Sequence, residues 1–155
     1  MYETILVPHA GTPAGDKALE HAIFIAKASS AKIILLHIVE QLQYPPTFAL
    51  ASSERENLLS SIKSATNTIS KEMMEEMEKK KGICKKNNVQ VETQVVVGNP
   101  SQEIIKIVNE RNIDIVVMAK RRKLKGMKKL LSLGSVSRKI VENVKCPVFL
   151  IDIEN

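Results

Sequence analysis

Short apolar runs alternate with helix-patterned segments along the chain, and this alternation most limits the folds available to it. The clearest run, residues 31–38 (AKIILLHI), is apolar nearly throughout, which is typical of a strand covered on both faces. From residue 18 to 26, apolar residues recur at helical spacing. Such segments follow one another in the order βαβαβαβ, loop, αβ. The order predicts an α/β fold, with one open parallel sheet, right-handed crossovers and helices on both faces.

We expect a single domain, residues 1–155, with five strands and four helices. The predicted strands cover residues 2–8, 31–38, 89–97, 112–118 and 146–153. The predicted helix starts lie at residues that can cap a helix. They are Thr12 or Asp16, Ser52 or Ser53 with Glu56 completing a capping box, Ser101, and a point near Ser135. The second helix is expected to reach about residue 86, with an apolar face formed by Leu58, Leu59, Ile62, Ala65, Ile69, Met73 and Met77.

The composition is that of an ordinary globular protein. Hydrophobic residues make up 44% of the 155 residues and charged residues 26%. No apolar run approaches the roughly 20 residues that cross a bilayer, so no membrane partner is expected. Met1 leads directly into a strand-like run, which predicts a cytoplasmic protein without a secretory or transit segment. Cys84 and Cys146 stand in no metal or redox spacing, so we expect two reduced, structural cysteines.

The positive charge is concentrated in one segment. The chain has 23 lysines and arginines and 17 acids, for a net charge of +6. Seven of the 23 basic residues lie in residues 120–129, so the other 16 against 17 acids leave the rest of the chain at about −1. We call this segment the basic loop. Its charged members are Lys120, Arg121, Arg122, Lys123, Lys125, Lys128 and Lys129.

Three roles remain open for the basic loop. It can clamp the phosphates of a small ligand, dock an acidic protein partner, or stay solvated without a ligand. Lysine and arginine supply the charge and the several donors that phosphate requires. Nucleic acid is the less favoured partner, because the cluster is compact and has no aromatic residue for base stacking.

Candidate binding residues lie where the predicted strands end. In an open parallel sheet, ligands bind beyond the carboxyl ends of the strands, where the strand order reverses. The helix predicted near Ser135 begins with Gly134, Ser135 and Val136, whose free N–H groups form an anion site at the positive end of the helix dipole. The alternative is that Gly134 only makes a turn and Ser135 only caps the helix. His9, at the end of the first strand, is a further candidate to face the crevice.

No catalytic constellation can be identified. The sequence has no Walker loop, no G-x-G-x-x-G after the first strand, no readable Ser-His-Asp set and no carboxylate pair. His21 and His37 are expected to be structural. We therefore predict a binding protein rather than an enzyme, with a weak ATPase left open, and we assign no metal site.

Six segments resemble the sequence blocks of the universal stress proteins, in the order of that family. They are residues 5–8 (ILVP), 36–39 (LHIV), 97–104 (VGNPSQEI), 114–118 (DIVVM), 133–141 (LGSVSRKIV) and 146–151 (CPVFLI). The resemblance implies a Rossmann-like, five-stranded parallel sheet in the order 3-2-1-4-5. It also implies a homodimer through the last strand, with Val148, Leu150 and Ile151 in the contact.

One branch of this family binds ATP, and its motif fits the chain only in part. The matching positions place Pro8, Val39 and Met118 around the adenosine, and Gly134, Ser135 and Val136 at the phosphates. The motif has an aspartate just after the first strand, and later G-x-x-G, nine residues and G-[ST]. In this chain the aspartate position is Ala10, and the two glycines of G-x-x-G fall on Ala119 and Arg122. Two extra residues lengthen the loop before Gly134, unless Gly126 takes over part of the glycine role.

These departures change the chemistry of the site. Without a carboxylate at Ala10, the nucleoside loses an acceptor, which costs about 1–3 kcal/mol where a buried polar group is left unpaired. Arg122 prevents the close backbone approach that glycine allows, although it brings charge. The sequence thus predicts a dimeric stress-response binding protein with weakened, altered or absent adenine-nucleotide binding. The alternatives are intact binding of ATP or AMP, with Mg²⁺ arriving only on the nucleotide, and a partner-docking or nucleic-acid-contacting role for the basic loop.

Overall fold

The structure is a computed structural model that describes residues 1–41, 50–120 and 134–152. These residues form a five-stranded sheet in the order β3-β2-β1-β4-β5, and every neighbouring pair is parallel. The predicted fold class and strand order are confirmed. In chain order the elements are β1 (Thr4–Pro8), α1 (Pro13–Ser29), β2 (Lys32–Glu40), α2 (Ser52–Lys86), β3 (Val91–Gly98), α3 (Pro100–Glu110), β4 (Ile115–Ala119), α4 (Ser135–Asn143) and β5 (Val148–Ile151).

The central strands are buried on both faces. Ile5 and Val7 of β1 point to the side covered by α1 and α2, where they pack with Leu19 and Met77. Leu6, between them, points to the side covered by α3 and α4. Since alternate residues of a strand face opposite sides, a strand that is apolar at every position needs a helical layer on each side.

The capping residues predicted for two helices are wrong. Helix α2 begins one residue after Ala51, whose N–H donates to Glu54 Oε2 at 3.0 Å, so the box predicted at Ser53 and Glu56 does not form. Helix α3 is capped by Asn99 rather than by Ser101. The Asn99 side chain accepts from the Gln102 N–H at 3.2 Å and from the Ser101 hydroxyl at 2.8 Å.

The cap of α1 is the predicted Thr12, whose hydroxyl accepts from the Gly15 N–H at 3.3 Å. Strand β4 begins at Ile115 rather than at the predicted Asn112. Asn112 has φ 48°, which lies in the left-handed region and is incompatible with an extended strand.

The apolar face predicted for α2 is only partly buried. Within the described residues, Met77 and Cys84, both in the C-terminal half of the helix, are the α2 side chains buried in the core. Leu59, in the N-terminal half, and Ile69, at the midpoint of the helix, remain 39% and 40% exposed. Helix α2 therefore packs on β2 and β3 mainly through its C-terminal half. No helix in the described ranges is long and apolar enough to cross a membrane.

The start of β1 is held by a carboxylate from the loop before β4. Asp114 Oδ2 accepts from the Glu3 N–H at 2.8 Å and from the Thr4 N–H at 2.9 Å. These two hydrogen bonds lower the pKa of Asp114 below its usual 3.8. The stabilisation is therefore present above that value and is lost as the pH falls through the lower, folded-state pKa.

We predict that Asp114→Ala lowers the free energy of unfolding by about 1–2 kcal/mol at neutral pH, because both strand N–H groups lose a charged acceptor at a partly exposed site. Asp114→Asn keeps a neutral acceptor and should lose less. Urea denaturation of the three proteins at pH 7 and at pH 3 tests this. An equal loss at both pH values would contradict the role of the charged carboxylate.

Candidate functional site

The order of the strands reverses between β1 and β4. Helix α1 follows β1 to one face of the sheet, as its buried Leu19 shows, and α4 follows β4 to the other face, as its buried Ile140 shows. The register pairs Leu6 with Val116, so the carboxyl ends of both strands lie at the same edge. The crevice that binds ligands in open parallel sheets therefore lies between these two strand ends.

The side chains predicted to line this crevice differ in exposure. Pro8 and Ala119 are half-buried, and Ala10 is exposed. Val39 and Met118 are each only 6% exposed, and Met118 packs in the core on the α3 and α4 side. The surface at these strand ends is therefore formed by Pro8, Ala10 and Ala119. The buried side chains of Val39 and Met118 lie beneath that surface.

Helix α4 begins at Ser135, as predicted, with Gly134 in the cap position. Glycine brings no capping side chain, so no side-chain cap satisfies this helix end within the described residues. Ser135 is exposed, and Val136 is half-buried. Ser135 is therefore the first helical residue and not the cap, and the helix end presents backbone N–H groups with a hydroxyl beside them.

Lys120 is the one member of the basic loop that the structure describes. Its N–H donates to the Ile151 carbonyl oxygen at 2.8 Å, and its Nζ lies 3.2 Å from Asp152 Oδ2. Lys120 is therefore tied to the end of β5. The other charged members, including Arg122, lie outside the described residues.

His9 turns into the protein rather than toward open solvent. It shares the face of Ile5 and Val7, and its side chain is fully buried under α1. Nδ1 accepts from the Gly11 N–H at 3.0 Å, and because an N–H can only donate, the ring proton must sit on Nε2. Nε2 then donates to Asp16 Oδ1 at 3.0 Å.

Asp16 also binds a cation from α2. Lys80 Nζ lies 2.8 Å from Asp16 Oδ1, and it lies 3.4 Å from Glu76 Oε1. Burial raises the pKa of Asp16, but the hydrogen bonds from Lys80 and His9 outweigh this, and the net shift is downward. We refer to these residues as the His9–Asp16–Lys80 cluster.

The backbone of His9 is fixed independently of its ring. The His9 N–H donates to the Leu36 carbonyl oxygen at 2.8 Å, and the His9 carbonyl oxygen accepts from His37 Nδ1 at 2.7 Å. His37 is buried and holds the end of β1, in agreement with the structural role expected for it.

Burial lowers the pKa of His9 below 6.5, although Asp16 acts in the opposite direction. The folded protein therefore binds fewer protons at this ring than the unfolded chain does. The contribution of neutral His9 to stability is complete above about pH 6.5 and is lost as the pH falls through the lower, folded-state value.

Sequence reasoning did not identify this cluster. Asp16 was considered only as a helix cap, and Lys80 is one of three consecutive lysines that have no distinguishing pattern. A signal was available at Gly15, where a Cβ atom would lie 2.9 Å from the His9 ring. A glycine in the first turn of a helix allows another group to pack closely against the backbone.

The open parallel sheet and its reversal crevice define an α/β protein of the Rossmann-like class. A model of the universal stress protein family matches residues 1–152. The chain belongs to the universal stress protein family.

Individual family members are similar over nearly the whole chain. A curated relative, the universal stress protein MJ0531 of Methanocaldococcus jannaschii, is 27% identical over 97% of this chain and 82% of its own. The structure of MJ0577 from the same organism is 25% identical, covers 100% of this chain and 99% of its own, and has a TM-score of 0.79. A universal stress protein family protein from Arabidopsis thaliana, solved with AMP bound, is 20% identical, with coverages of 98% and 92% and a TM-score of 0.62.

We predict opposite effects from two glycine-to-alanine substitutions in helices. Gly15→Ala places a methyl group against the His9 ring and should lower the free energy of unfolding by about 1–3 kcal/mol. Gly82→Ala meets no atom within 4 Å beyond its chain neighbours and its own helix backbone, and it should raise the free energy of unfolding by about 0.5–1 kcal/mol, because alanine favours the helix. Thermal and urea denaturation measure both. A Gly15→Ala protein as stable as Gly82→Ala would show that the close packing is absent.

Proposed function

We propose that this universal stress protein is a non-enzymatic, homodimeric binding protein whose ligand is an adenine nucleotide. The nucleotide occupies the crevice between the ends of β1 and β4, with its phosphates at the start of α4. Its affinity is reduced relative to a site that has a carboxylate after β1. AMP bound to the Arabidopsis family protein supports this class of ligand.

The observation that carries the proposal is the start of α4. Gly134 leaves the first N–H groups of the helix without a side-chain cap among the described residues, and Ser135 adds an exposed hydroxyl. Backbone donors combined with the positive end of the helix dipole bind phosphate without any particular side chain. The basic residues that follow Lys120 in the sequence supply additional positive charge for a phosphate-bearing ligand.

The nucleoside side of the crevice is weaker. The residue after His9 is Ala10, which is exposed and has no polar side-chain atom. A ribose hydroxyl or base N–H at this position must bond to water or backbone instead of to a carboxylate. This difference accounts for the reduced affinity that we propose, and it can be reversed by one substitution.

We predict that Ala10→Asp tightens AMP binding about tenfold, the effect of roughly 1.4 kcal/mol from one charged acceptor. Ser135→Ala should weaken binding about threefold to tenfold. Isothermal titration calorimetry with ATP, ADP and AMP measures these changes. The control is Ala28→Asp, which adds the same charge to an exposed position in the last turn of α1. This position lies at the end of the sheet where the strands begin, away from the crevice at their carboxyl ends.

Two outcomes would overturn the proposed site. One is the absence of heat from any adenine nucleotide at millimolar concentration, in both the wild type and Ala10→Asp. The other is equal tightening by Ala28→Asp, which would mean that the added charge acts without a contact at the crevice.

The proposed dimer forms through β5, which lies at the edge of the sheet and pairs on one side with β4. Val148, Leu150 and Ile151 all pack toward the core of their own subunit. Phe149 is 44% exposed and contacts His21 edge-to-face, with ring centroids 5.8 Å apart. Phe149 is therefore the side chain of β5 that is free to meet a second copy, while the strand backbone offers hydrogen bonds.

We predict that the wild type has twice the mass of one chain in light scattering at tens of micromolar, and that Phe149→Glu shifts it toward the monomer. Phe149 is a better site for this test than Leu150, where a charge would also damage the core. Ile83→Glu, at a position 45% exposed on α2, is the matched control and should leave the mass unchanged. A monomeric wild type would contradict the β5 dimer.

A further inference from the structure

The turn after β1 depends on a side chain whose hydrogen-bonding capacity changes with protonation. Gly11 has φ 73°, in the left-handed region, and its N–H is held by Nδ1 of the buried His9 ring. Ala10, Gly11 and Thr12 are all exposed and follow the strand end at which the crevice lies. The conformation of this exposed turn is thus coupled to a ring that solvent does not reach.

We propose that His9 is a pH-sensitive positioning residue: its neutral ring holds the turn at residues 10 and 11 in place, and protonation of Nδ1 releases that turn and weakens ligand binding in the crevice. The part that concerns ligand binding rests on the proposed function. The coupling of the ring to the turn does not, because it follows from contacts within this chain.

Protonation acts on the turn through one hydrogen bond. A proton on Nδ1 would face the Gly11 N–H, which lies 3.0 Å away, so an acceptor becomes a second donor and the bond is lost. The strand itself remains fixed, because the backbone N–H and carbonyl of His9 bond to Leu36 and His37. The effect is therefore confined to the residues after His9, at the mouth of the proposed site.

Charged and titratable groups face His9 from three elements. Asp16 of α1 accepts from Nε2 and stabilises a positively charged ring. Lys80 of α2 binds the same Asp16 oxygen at 2.8 Å and is also paired with Glu76. Because Lys80 is positively charged, it opposes protonation of the His9 ring. His37 of β2 lies behind the His9 carbonyl, and a second charge there would oppose protonation as well.

Lys80 therefore shifts the pH at which the turn is released, in addition to the effect of burial. While Lys80 neutralises Asp16, the carboxylate gives less stabilisation to a protonated His9. Burial lowers the pKa of His9, and the positive charge of Lys80 lowers it further. Removing the charge of Lys80 should move the protonation of His9 to higher pH, a change that a purely structural His9 would not transmit to the turn.

Two substitutions at His9 separate the roles of its two ring nitrogens, Nδ1 and Nε2. In His9→Asn, the side-chain oxygen stands near the position of Nδ1 and can accept from the Gly11 N–H, but it does not titrate. In His9→Gln, the longer amide stands near the position of Nε2, keeps a donor toward Asp16 and leaves the Gly11 N–H without its acceptor. Lys80→Met keeps the length of the lysine stem and removes its charge.

The experiment follows the Gly11 amide and the His9 ring nitrogens by NMR in the nucleotide-free protein, from pH 8 to pH 4.5. We expect the Gly11 amide and the His9 ring to titrate together in the wild type. In His9→Asn the Gly11 amide should not titrate, and in His9→Gln it should already resemble the acidic wild type. In Lys80→Met the joint midpoint should rise. These readings require no ligand.

A second arm measures AMP affinity by calorimetry above and below the midpoint. Affinity should fall roughly threefold to tenfold in the wild type, as expected for one lost hydrogen bond, and should stay constant in His9→Asn. If AMP binds at neither pH, the proposed function fails, while the NMR titration still decides the role of His9.

Three results would overturn the role of His9. The first is that the pH dependence of the Gly11 amide resonance differs from that of the His9 ring in the wild type. The second is that the Gly11 amide resonance of His9→Asn shows the same pH dependence as that of the wild type. The whole domain can also unfold before the Gly11 resonance moves, which would exclude a local release. If His9→Asn does not fold, the shift of the midpoint in Lys80→Met decides the question by itself, and an unmoved midpoint contradicts the proposal.

Discussion

Burial of the central strands on both faces is the constraint on which the rest of the structure depends. Residues 5–7 and 33–36 have no exposed surface, so neither face of β1 or β2 can meet water. Burying an apolar side chain contributes about 1.5–3 kcal/mol, and an uncovered face would forfeit this at several positions at once. Helices must therefore lie on both sides. The strand order has to reverse where the chain crosses from one side to the other, and that reversal creates the crevice.

The sheet could be predicted from the sequence because its signals are local. A strand such as residues 31–38 carries its pattern within eight residues, and the order of the elements determines which crossovers are possible. The cap of α3 was predicted wrongly because two capping residues stand close together in the sequence. Asn99 and Ser101 are both good caps, and the deciding signal is Pro100 between them, which is favoured at the first helical position and assigns the cap to Asn99.

The candidate site could be predicted only where it is built from consecutive residues. The start of α4 is local, since Gly134 and Ser135 are adjacent, and the predicted position of this helix start agrees with the structure. The His9–Asp16–Lys80 cluster depends on the packing of α2 against α1, and nothing in the sequence indicates which of three consecutive lysines meets Asp16. Side chains that meet across separate elements are determined by tertiary packing, so a sequence pattern of period 2 or 3.6 cannot reveal them.

The two sides of the proposed site differ in how they tolerate substitution. At the start of α4 the proposed phosphate donors are backbone N–H groups, which every residue except proline supplies, so they do not depend on the identity of the neighbouring side chains. On the β1 side an acceptor depends on the identity of one side chain, and Ala10 provides none. A direct polar contact from residue 10 to the ligand must therefore come from the backbone of the turn. Backbone contacts require a fixed conformation, and the Gly11 N–H is fixed by His9. The loss of a carboxylate at Ala10 therefore makes the proposed site depend more, not less, on the protonation state of the residue before it.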